Sequence, residues 1–279
     1  MDIHWVDVFA TGPLSGNPLA VITGDAVMPA EHMQRLAAEI GLSETVFAVP
    51  GAPPALRIFT PVTELPLAGH PVVGAAWVLR NIGWIGDEGV LRTAGGDVVV
   101  QADDEGAAMT HAGAARRGLA DARAVAACLG AHPLGEAPIW DAGLPQVMLE
   151  VQDLDALSPD HDALRAFGRD EGWAGVSAYV LHEHGDPTVA EVRHFAAPIG
   201  IAEDPVTGSA AGALGAALAA RGTGRAGLRV TVRQGHHVGH PGEVHVRVIA
   251  GSDGTTTVTV GGAVVPVMAG TIRRDILPG

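Results

Sequence analysis

The stretch RIFTPVTELPLAGHPVVGAA at residues 57–76 has a counterpart later in the chain, RHFAAPIGIAEDPVTGSAAGAL at residues 193–214. Both stretches run in one order: an arginine, a phenylalanine, a proline, an acidic residue, a glycine, and then a helix of small residues. Glycine and alanine are so common in this chain that the helices alone could align by chance. Chance explains the shared arginine, phenylalanine, proline and acidic residue less easily, so the sequence predicts a duplicated unit.

Apolar periodicity outside the two stretches predicts a mixed α/β (α+β) fold in each half. Pro29 and Gly41 bracket one helix, because proline suits a first helical turn and glycine suits a left-handed helix end. The predicted strands are 3–9, 18–22, 45–49, 55–60, 89–92, 97–101, 145–151, 176–181, 189–195, 228–234, 243–249, 255–260 and 263–273. The predicted helices are 30–40, 69–80, 119–129, 160–168 and 205–221.

The domain boundary is predicted where this periodicity is lost. Residues 103–118 read DDEGAAMTHAGAARRG and gather glycine and charge instead of alternating apolar positions. A chain of 279 residues is long enough for two domains of ordinary size. We therefore predict an N-terminal lobe at 1–115 and a C-terminal lobe at 116–262, with 263–279 returning to the first lobe.

Charge and cysteine usage exclude several classes of function. The formal net charge is −14, which disfavours nucleic acid and anionic membranes as partners. All 17 basic residues are arginine, so a pyridoxal Schiff base and a P-loop lysine are both excluded. The single cysteine, Cys128, rules out an internal disulfide framework. The acidic start of the chain lacks the basic region of a signal peptide, and no apolar run has the length of a membrane span, so a cytoplasmic protein is expected.

Each repeat places a glycine and a polar side chain at a predicted helix start: Gly69 with His70, and Gly208 with Ser209. The first amides of a helix lack intrahelical partners and lie at the positive end of its dipole, so they suit an anion such as a substrate carboxylate. The plainer interpretation is that Ser209 only caps its helix and that His70 is a surface residue. Two matching helix starts weaken that interpretation.

Glu44 and Asp204 are the candidates for moving protons near these helix starts. Glu44 lies between a predicted helix and a predicted strand, where a loop side chain can reach a ligand. A lone glutamate at such a place is usually solvated, and Asp204 could simply complement a helix dipole. Glu64 and Glu203 have the same ordinary explanation, with ion pairs to the arginines at 57 and 193 as another.

Together with GNPLAV (16–21), SETVF (43–47), GLPQVML (143–149) and the late QG…GHPGEVHV (234–246), the two stretches resemble the phenazine-biosynthesis PhzF-like family, which shares its fold with diaminopimelate epimerase. The resemblance covers nearly the whole chain. It implies two pseudo-symmetric lobes, each a barrel-like β-sheet around a central helix, with an active site in the cleft between them. It also implies a homodimer, no cofactor, no metal, and a small carboxylic acid as the substrate.

The resemblance also assigns roles to individual residues. It implies Glu44, His70 and Asp204 as catalytic residues and Ser209 as a substrate-binding residue, with Gly69, Gly208, Gly74 and Asn17 as further binding positions. The implied reaction moves a proton in an amino- or hydroxy-substituted acid such as dihydro-hydroxyanthranilate, in secondary metabolism. A partly desolvated Glu44 with a raised pKa could act as base and then as acid.

Two departures and two rival functions remain open. The cysteine pair of the epimerase relatives cannot operate here, and His240 stands where relatives commonly have arginine. A zinc site formed by histidines 236, 237, 240 and 245 is disfavoured, since no carboxylate or cysteine joins them at regular spacing. The rivals are a racemase or epimerase that pairs Glu44 with His70 or Asp204, and a binding protein without catalysis.

Overall fold

The computed structural model describes residues 1–24, 28–183, 186–222, 227–250 and 255–273. The chain forms two compact units. One unit comprises Met1–Thr110 with Gly261–Gly279, and the other comprises His111–Val260. Residues 274–279, the end of the segment predicted to return to the first lobe, lie outside the described residues.

The first unit contains a closed eight-stranded barrel. Strand β1 pairs with β2 and with the last strand, and the ring continues through β2–β3, β3–β4, β4–β6, β6–β7, β7–β8 and β8–β17. The β2–β3 and β4–β6 pairs are parallel. The elements are β1 (Asp2–Val8), β2 (Asn17–Thr23), α1 (Ala30–Ile40), β3 (Thr45–Val49), β4 (Ala55–Phe59), β5 (Glu64–Leu65), α2 (Gly69–Asn81), β6 (Glu88–Thr93), β7 (Gly96–Ala102), β8 (Gly106–Ala112) and β17 (Thr256–Thr271).

The second unit repeats this plan. Its elements are β9 (Ala115–Ala120), α3 (Ala122–Cys128), β10 (Ala137–Asp141), β11 (Pro145–Glu150), α4 (His161–Glu171), β12 (Gly175–Glu183), β13 (Thr188–Ala196), β14 (Ile201–Asp204), α5 (Gly208–Ala220), β15 (Leu228–Gln234) and β16 (Gly242–Ala250). From β10 to β16 they follow the order of β1 to β7, and they also repeat the two parallel pairs, as β11–β12 and β13–β15. The duplication predicted from the sequence is confirmed.

The two long small-residue helices, α2 and α5, are buried on nearly all sides. A helix that is apolar around its whole circumference must be surrounded by other elements, and α2 contacts β1, β2, β3 and β7. Small residues allow this close fit. A Cβ added at Gly74 would lie 2.5 Å from Leu19 Cδ2, and one added at Gly215 would lie 2.7 Å from Val246 Cγ1.

The segment predicted to lack regular structure, 103–118, contains all of β8 and part of β9. The prediction of a helix over 119–129 is also wrong at its start, because β9 continues to Ala120 and α3 begins only at Ala122. Asp121 caps α3 by accepting hydrogen bonds from the amides of Arg123 and Ala124. Strand β9 reads ARRGLA and is largely exposed, so it lacks the apolar alternation by which a strand is recognised. No helix in the described part of the chain is long and apolar enough to cross a membrane.

Candidate active site

Glu44 and His70 come together in the first unit. Glu44 directly precedes β3, a few residues after α1 ends at Gly41 in a left-handed conformation, and His70 is the second residue of α2. Glu44 Oε2 lies 3.6 Å from His70 Nε2. Only 11% of the Glu44 side chain and 6% of the His70 side chain are exposed, so the contact is shielded from solvent.

Burial dominates the electrostatics of Glu44. It raises the pKa of the carboxyl above its ordinary value, because a charged carboxylate is costly to remove from water, while a hydrogen bond with Ser43 acts in the opposite direction. Oε2 has no hydrogen-bond partner within the described part of the chain. A buried carboxyl with one oxygen open to a new contact is suited to take up and release a proton.

Asn17 stands beside this pair, at the start of β2. Its Oδ1 accepts a hydrogen bond from Ser43 Oγ at 3.3 Å, which links it to the residue before Glu44. The preceding Gly16 has φ of +79°, and a Cβ there would lie 2.5 Å from the carbonyl oxygen of Val8. Only glycine fits this turn, so the turn fixes where Asn17 begins its strand.

Helix α2 begins without a side-chain cap. Its N-cap residue, Ala68, has no group that could accept from the first-turn amides, and Pro71 in the first turn has no amide hydrogen. The positive end of the helix dipole therefore lies beside Gly69 and His70. This is the environment that the sequence predicted for an anion.

A second group forms around Asp204 in the second unit. Thr207 Oγ1 donates a short hydrogen bond to Asp204 Oδ2. Gln234 Nε2 donates to the Asp204 carbonyl at 2.8 Å and to Thr207 Oγ1 at 3.0 Å, and Gln234 Oε1 accepts from the Thr207 amide at 3.3 Å. These bonds fix Asp204 against the start of α5, where Gly208 and Ser209 form the first turn.

Thr207 and Gln234 were missed among the predicted site residues. Both lie inside motifs that carry the family resemblance, EDPVTGSA and QG. Gln234 is only 4% exposed, whereas glutamine is mostly exposed in folded proteins. Strand β15 reads LRVTVRQ, and the available signal was a polar residue on the face that otherwise carries leucine and valine, just before a glycine.

The late glycine motif packs on the same turn. Gly235 has φ of +90°, and a Cβ at this position would lie 2.1 Å from the carbonyl oxygen of His240 and 2.7 Å from that of Pro205. The amide of His240 in turn donates to the Gly235 carbonyl at 3.0 Å. His240 therefore belongs to a loop in direct contact with the residue that follows Asp204.

The arginine and acidic residue of each repeat form an ion pair. Arg57 binds both carboxylate oxygens of Glu64 at 2.7 and 2.6 Å, and Arg193 binds those of Glu203 at 2.9 and 2.8 Å. The guanidinium groups also lie over phenylalanine rings of the same strands, at 5.2 and 5.1 Å. Glu64 and Glu203 are thus used structurally, in the hairpins that precede α2 and α5.

The structure places three further groups of residues that the sequence singled out. Gly74 lies in the second turn of α2 facing Leu19 and Val8, so it is a packing residue and we leave it out of the proposed site. Cys128 ends α3, and burial raises the pKa of its thiol. Among the described residues no group of three or more metal-binding side chains is found, and His237 and His245 instead lie beside Asp155 and Glu243.

The repeated barrel around a buried helix, with a buried glutamate and a histidine at the start of that helix, defines the class of protein. The chain belongs to the Phenazine biosynthesis-like protein family (PhzC-PhzF), which matches residues 6–270. It is 32% identical to a trans-2,3-dihydro-3-hydroxyanthranilate isomerase of Pseudomonas fluorescens over 96% of this chain and 97% of that protein.

Two solved structures have the same fold. One, from Bacillus anthracis, is a phenazine biosynthesis protein of the PhzF family with a TM-score of 0.87 at 24% identity, covering 98% of this chain and 99% of that one. The other is titled a predicted epimerase from Pseudomonas aeruginosa and has a TM-score of 0.81 at 29% identity, covering 97% and 98% of the two chains. The two-unit α/β fold expected from the sequence is therefore confirmed.

Proposed function

We propose that this protein is an isomerase that moves a proton within a small amino- or hydroxy-substituted carboxylic acid, without a cofactor. Glu44 is the acid and base of the reaction in this proposal. The observation that carries it is the buried Glu44 carboxyl, with its raised pKa, in contact with His70 at the uncapped start of α2. The isomerase names of relatives about 30% identical to this chain support the reaction type.

The chemistry follows from the groups present. The Glu44 carboxylate takes a proton from a substrate C–H bond, and the electron pair of that bond delocalises into the substrate. The resulting carboxylic acid returns the proton to a different carbon, so the reaction needs no oxidant or second substrate. Acid–base catalysis of this kind contributes about 10²- to 10⁴-fold in rate, and oriented donors and helix dipoles supply stabilisation of the anion.

The other predicted site residues are assigned supporting roles. His70 orients the Glu44 carboxyl and the substrate at the start of α2. The amide of Gly69 binds a negatively charged group of the substrate. Asp204 and Ser209 bind polar groups of the substrate, as the family resemblance implies. Thr207 and Gln234 act as positioning residues, because their hydrogen bonds fix the Asp204 carboxylate and its backbone.

A two-base racemase or epimerase is the second candidate, since one structural neighbour is titled a predicted epimerase. Two-base inversion at carbon requires the bases to stand on opposite faces of the substrate. Glu44 and His70 lie 3.6 Å apart, which leaves no room for a carbon between them. The pairing of Glu44 with His70 is therefore disfavoured, and only the pairing with Asp204 remains for this candidate.

The test is proton NMR in D₂O with dihydro-hydroxyanthranilate and a panel of amino and hydroxy acids. Wild type is compared with Glu44→Gln and with Glu39→Gln, a matched change at an exposed glutamate of α1. We expect deuterium at a carbon position and a moved double bond with wild type and Glu39→Gln. Glu44→Gln should lose about 10²-fold or more of the rate.

The outcomes separate the candidates. Deuterium incorporation with inverted configuration and an unchanged skeleton indicates the epimerase. Full activity in Glu44→Gln contradicts the assignment of the base. Absence of exchange, combined with a higher melting temperature in the presence of one of the acids, indicates a binding protein that has lost the chemistry.

A further inference from the structure

Three buried positions of the sheet are apolar in the first repeat and polar in the second. They lie on equivalent strands: β2 and β11 contribute the first position, β3 and β12 the second, and β4 and β13 the third. The first repeat has Leu19, Val46 and Ile58 at these positions, and the second has Gln146, Ser177 and His194, all at most 2% exposed. Burying polar groups costs free energy unless they gain hydrogen bonds. The polar set of the second repeat is therefore expected to serve a role that the first repeat lacks.

Hydrogen bonds within the polar set leave two atoms open. Ser177 Oγ lies 2.9 Å from His194 Nδ1, and neither atom has another partner among the residues that the structure describes. Ser177 therefore donates its hydrogen to Nδ1, since the reverse arrangement would leave a buried hydroxyl hydrogen without an acceptor. Burial lowers the pKa of His194 to about 4, so the ring is neutral at pH 7 and its remaining hydrogen lies on Nε2. The buried Oε1 of Gln146 lacks a hydrogen-bond partner within the described ranges.

The two open atoms converge beside Gly175. Gln146 Oε1 and His194 Nε2 each lie 2.8 Å from the position that a Cβ of Gly175 would take. A ligand group that approaches this position meets an acceptor and a donor together. A hydroxyl group suits both, because one oxygen can donate its hydrogen to Gln146 and accept a hydrogen bond from His194. A carboxylate cannot donate to Gln146, and an ammonium group cannot accept from His194.

The polar set lies on the face of the sheet that carries Asp204. His194 pairs with Ser177 of β12 on one side and with Asp204 of β14 on the other. Residues that stand opposite each other on antiparallel strands project to the same face, with Cβ atoms about 4.5–5.5 Å apart. The open donor and acceptor therefore adjoin the carboxylate that the proposed function assigns to polar groups of the substrate.

We propose that Gln146 and His194 form a subsite that binds a hydroxyl group of the substrate and thereby selects hydroxy acids. The hydroxyl donates to Gln146 Oε1 and accepts from His194 Nε2, while Ser177 holds the histidine ring in this orientation. The inference rests on the proposed function for a small acid as the ligand, and it narrows the substrate class to acids that carry a hydroxyl group. A ligand without the hydroxyl is rejected, because it leaves the buried donor and acceptor unpaired.

The test uses two stable aromatic acids that differ by one hydroxyl group, 3-hydroxyanthranilate and anthranilate. Their dissociation constants are measured by calorimetry for wild type, Gln146→Leu, His194→Ile and the control Gln152→Leu. Leucine and isoleucine are the residues at the equivalent positions of the first repeat, and Gln152 is an exposed glutamine of the same unit. We expect wild type and Gln152→Leu to bind the hydroxylated acid at least about tenfold more tightly than anthranilate. Gln146→Leu and His194→Ile should bind the two acids with similar affinity.

The measurements separate a binding role from a structural one. Loss of the subsite should weaken only the hydroxylated acid, and the melting temperature of Gln146→Leu should equal or exceed that of wild type, because the change removes a buried acceptor without a partner. Equal weakening of both acids in Gln146→Leu would overturn the proposal. So would a Gln146→Leu variant that keeps the preference, or a wild-type protein that binds the two acids equally or binds neither.

Deuterium exchange in D₂O tests the proposed function separately. Exchange by a wild-type protein that shows no preference for the hydroxylated acid contradicts the subsite and leaves the isomerase intact. A preference that is lost in Gln146→Leu, without exchange in wild type, supports the subsite and contradicts the isomerase.

Discussion

Replacing Glu44 by glutamine should stabilise the protein while lowering the rate of its proposed reaction by about 10²-fold or more. Burial raises the pKa of Glu44 above its ordinary value of 4.5. Above pH 4.5 the unfolded chain therefore gives up this proton more readily than the folded chain does. The free energy of unfolding falls as the pH rises from 4.5 through the folded-state pKa, and glutamine removes this loss because it has no proton to release.

The size of the effect is fixed by the same pKa. Each pKa unit by which burial raises the pKa of Glu44 lowers the free energy of unfolding by about 1.4 kcal/mol at a pH above the folded-state pKa. The stability gained by Glu44→Gln, measured at a pH well above the transition and divided by this figure, must therefore equal the rise in pKa. Protonated His70, 3.6 Å away, would act in the opposite direction by pairing with the carboxylate. Burial is the larger effect because Oε2 accepts no hydrogen bond from the described residues.

The assay is urea unfolding of wild type and Glu44→Gln between pH 4 and 9. The two curves should coincide near pH 4 and separate as the pH rises, with the variant more stable. Glu64→Gln is the matched control with the opposite sign, because its ion pair with Arg57 lowers the pKa of Glu64. A Glu44→Gln variant that is less stable than wild type at pH 7 would refute the reasoning and would indicate that Glu44 and His70 form a stabilising ion pair.

Three further predictions concern the scaffold around the site. Gly74→Ala should lower the free energy of unfolding by about 1–3 kcal/mol in chemical denaturation, since its Cβ would meet Leu19 and Val8 at 2.5 and 2.7 Å, with little change in the activity of the folded protein. His194 is completely buried beside Ser177 and its pKa is lowered to about 4, so acidification from pH 6.5 to below 4 should cost roughly 3 kcal/mol of wild-type stability, and this loss should be absent in a folded His194→Gln variant. Thr207→Val removes the hydroxyl shared by Asp204 and Gln234 and should lower kcat more than thermal stability, whereas Thr207→Ser should restore the rate.

The sequence was informative about the fold where residues must obey a local rule. The two helix starts and the small-residue helices could be read directly, because small and apolar residues around the whole circumference are typical of a helix enclosed by other elements. Strands β8 and β9 could not be read from apolar alternation. Strand β8 reads GAAMTHA and consists mostly of small residues, although it pairs with the neighbouring β7, and β9 reads ARRGLA and is largely exposed. Strand β5 has only two residues, which is too short for any periodicity.

In the candidate site too, the sequence predicted some residues but not how they contact each other. Glu44 and His70 were predicted as site residues, but their 3.6 Å contact depends on how β3 and α2 pack, which no spacing of 26 residues in the sequence reveals. The family resemblance implied Gly74 as a binding residue, yet it lies in the second turn of α2, where an added Cβ would meet Leu19 and Val8 of the barrel wall. Gln234 was missed because its partners lie about 30 residues earlier.

The two repeats share their fold but not the side chains proposed to transfer protons. The pairings Thr45↔Phe59 and Val176↔Phe195 align the two repeats, so Gly175 stands where the first repeat has Glu44. A Cβ at Gly175 would lie 2.8 Å from both Gln146 Oε1 and His194 Nε2, so these side chains would have to move before this position could carry one of its own.

The same alignment matches His70 with Ser209. It also matches Asp204 with Leu65, because Asp204 pairs with His194 in the second repeat and Leu65 pairs with Ile58 in the first. Each group proposed to handle protons therefore has a counterpart that cannot act as an acid or base at neutral pH. A racemase that evolved by duplicating one base into two symmetric bases would keep titratable side chains at both positions. In this chain only one member of each pair of equivalent positions has a titratable side chain. This is the arrangement expected when a single carboxyl both removes and returns the proton.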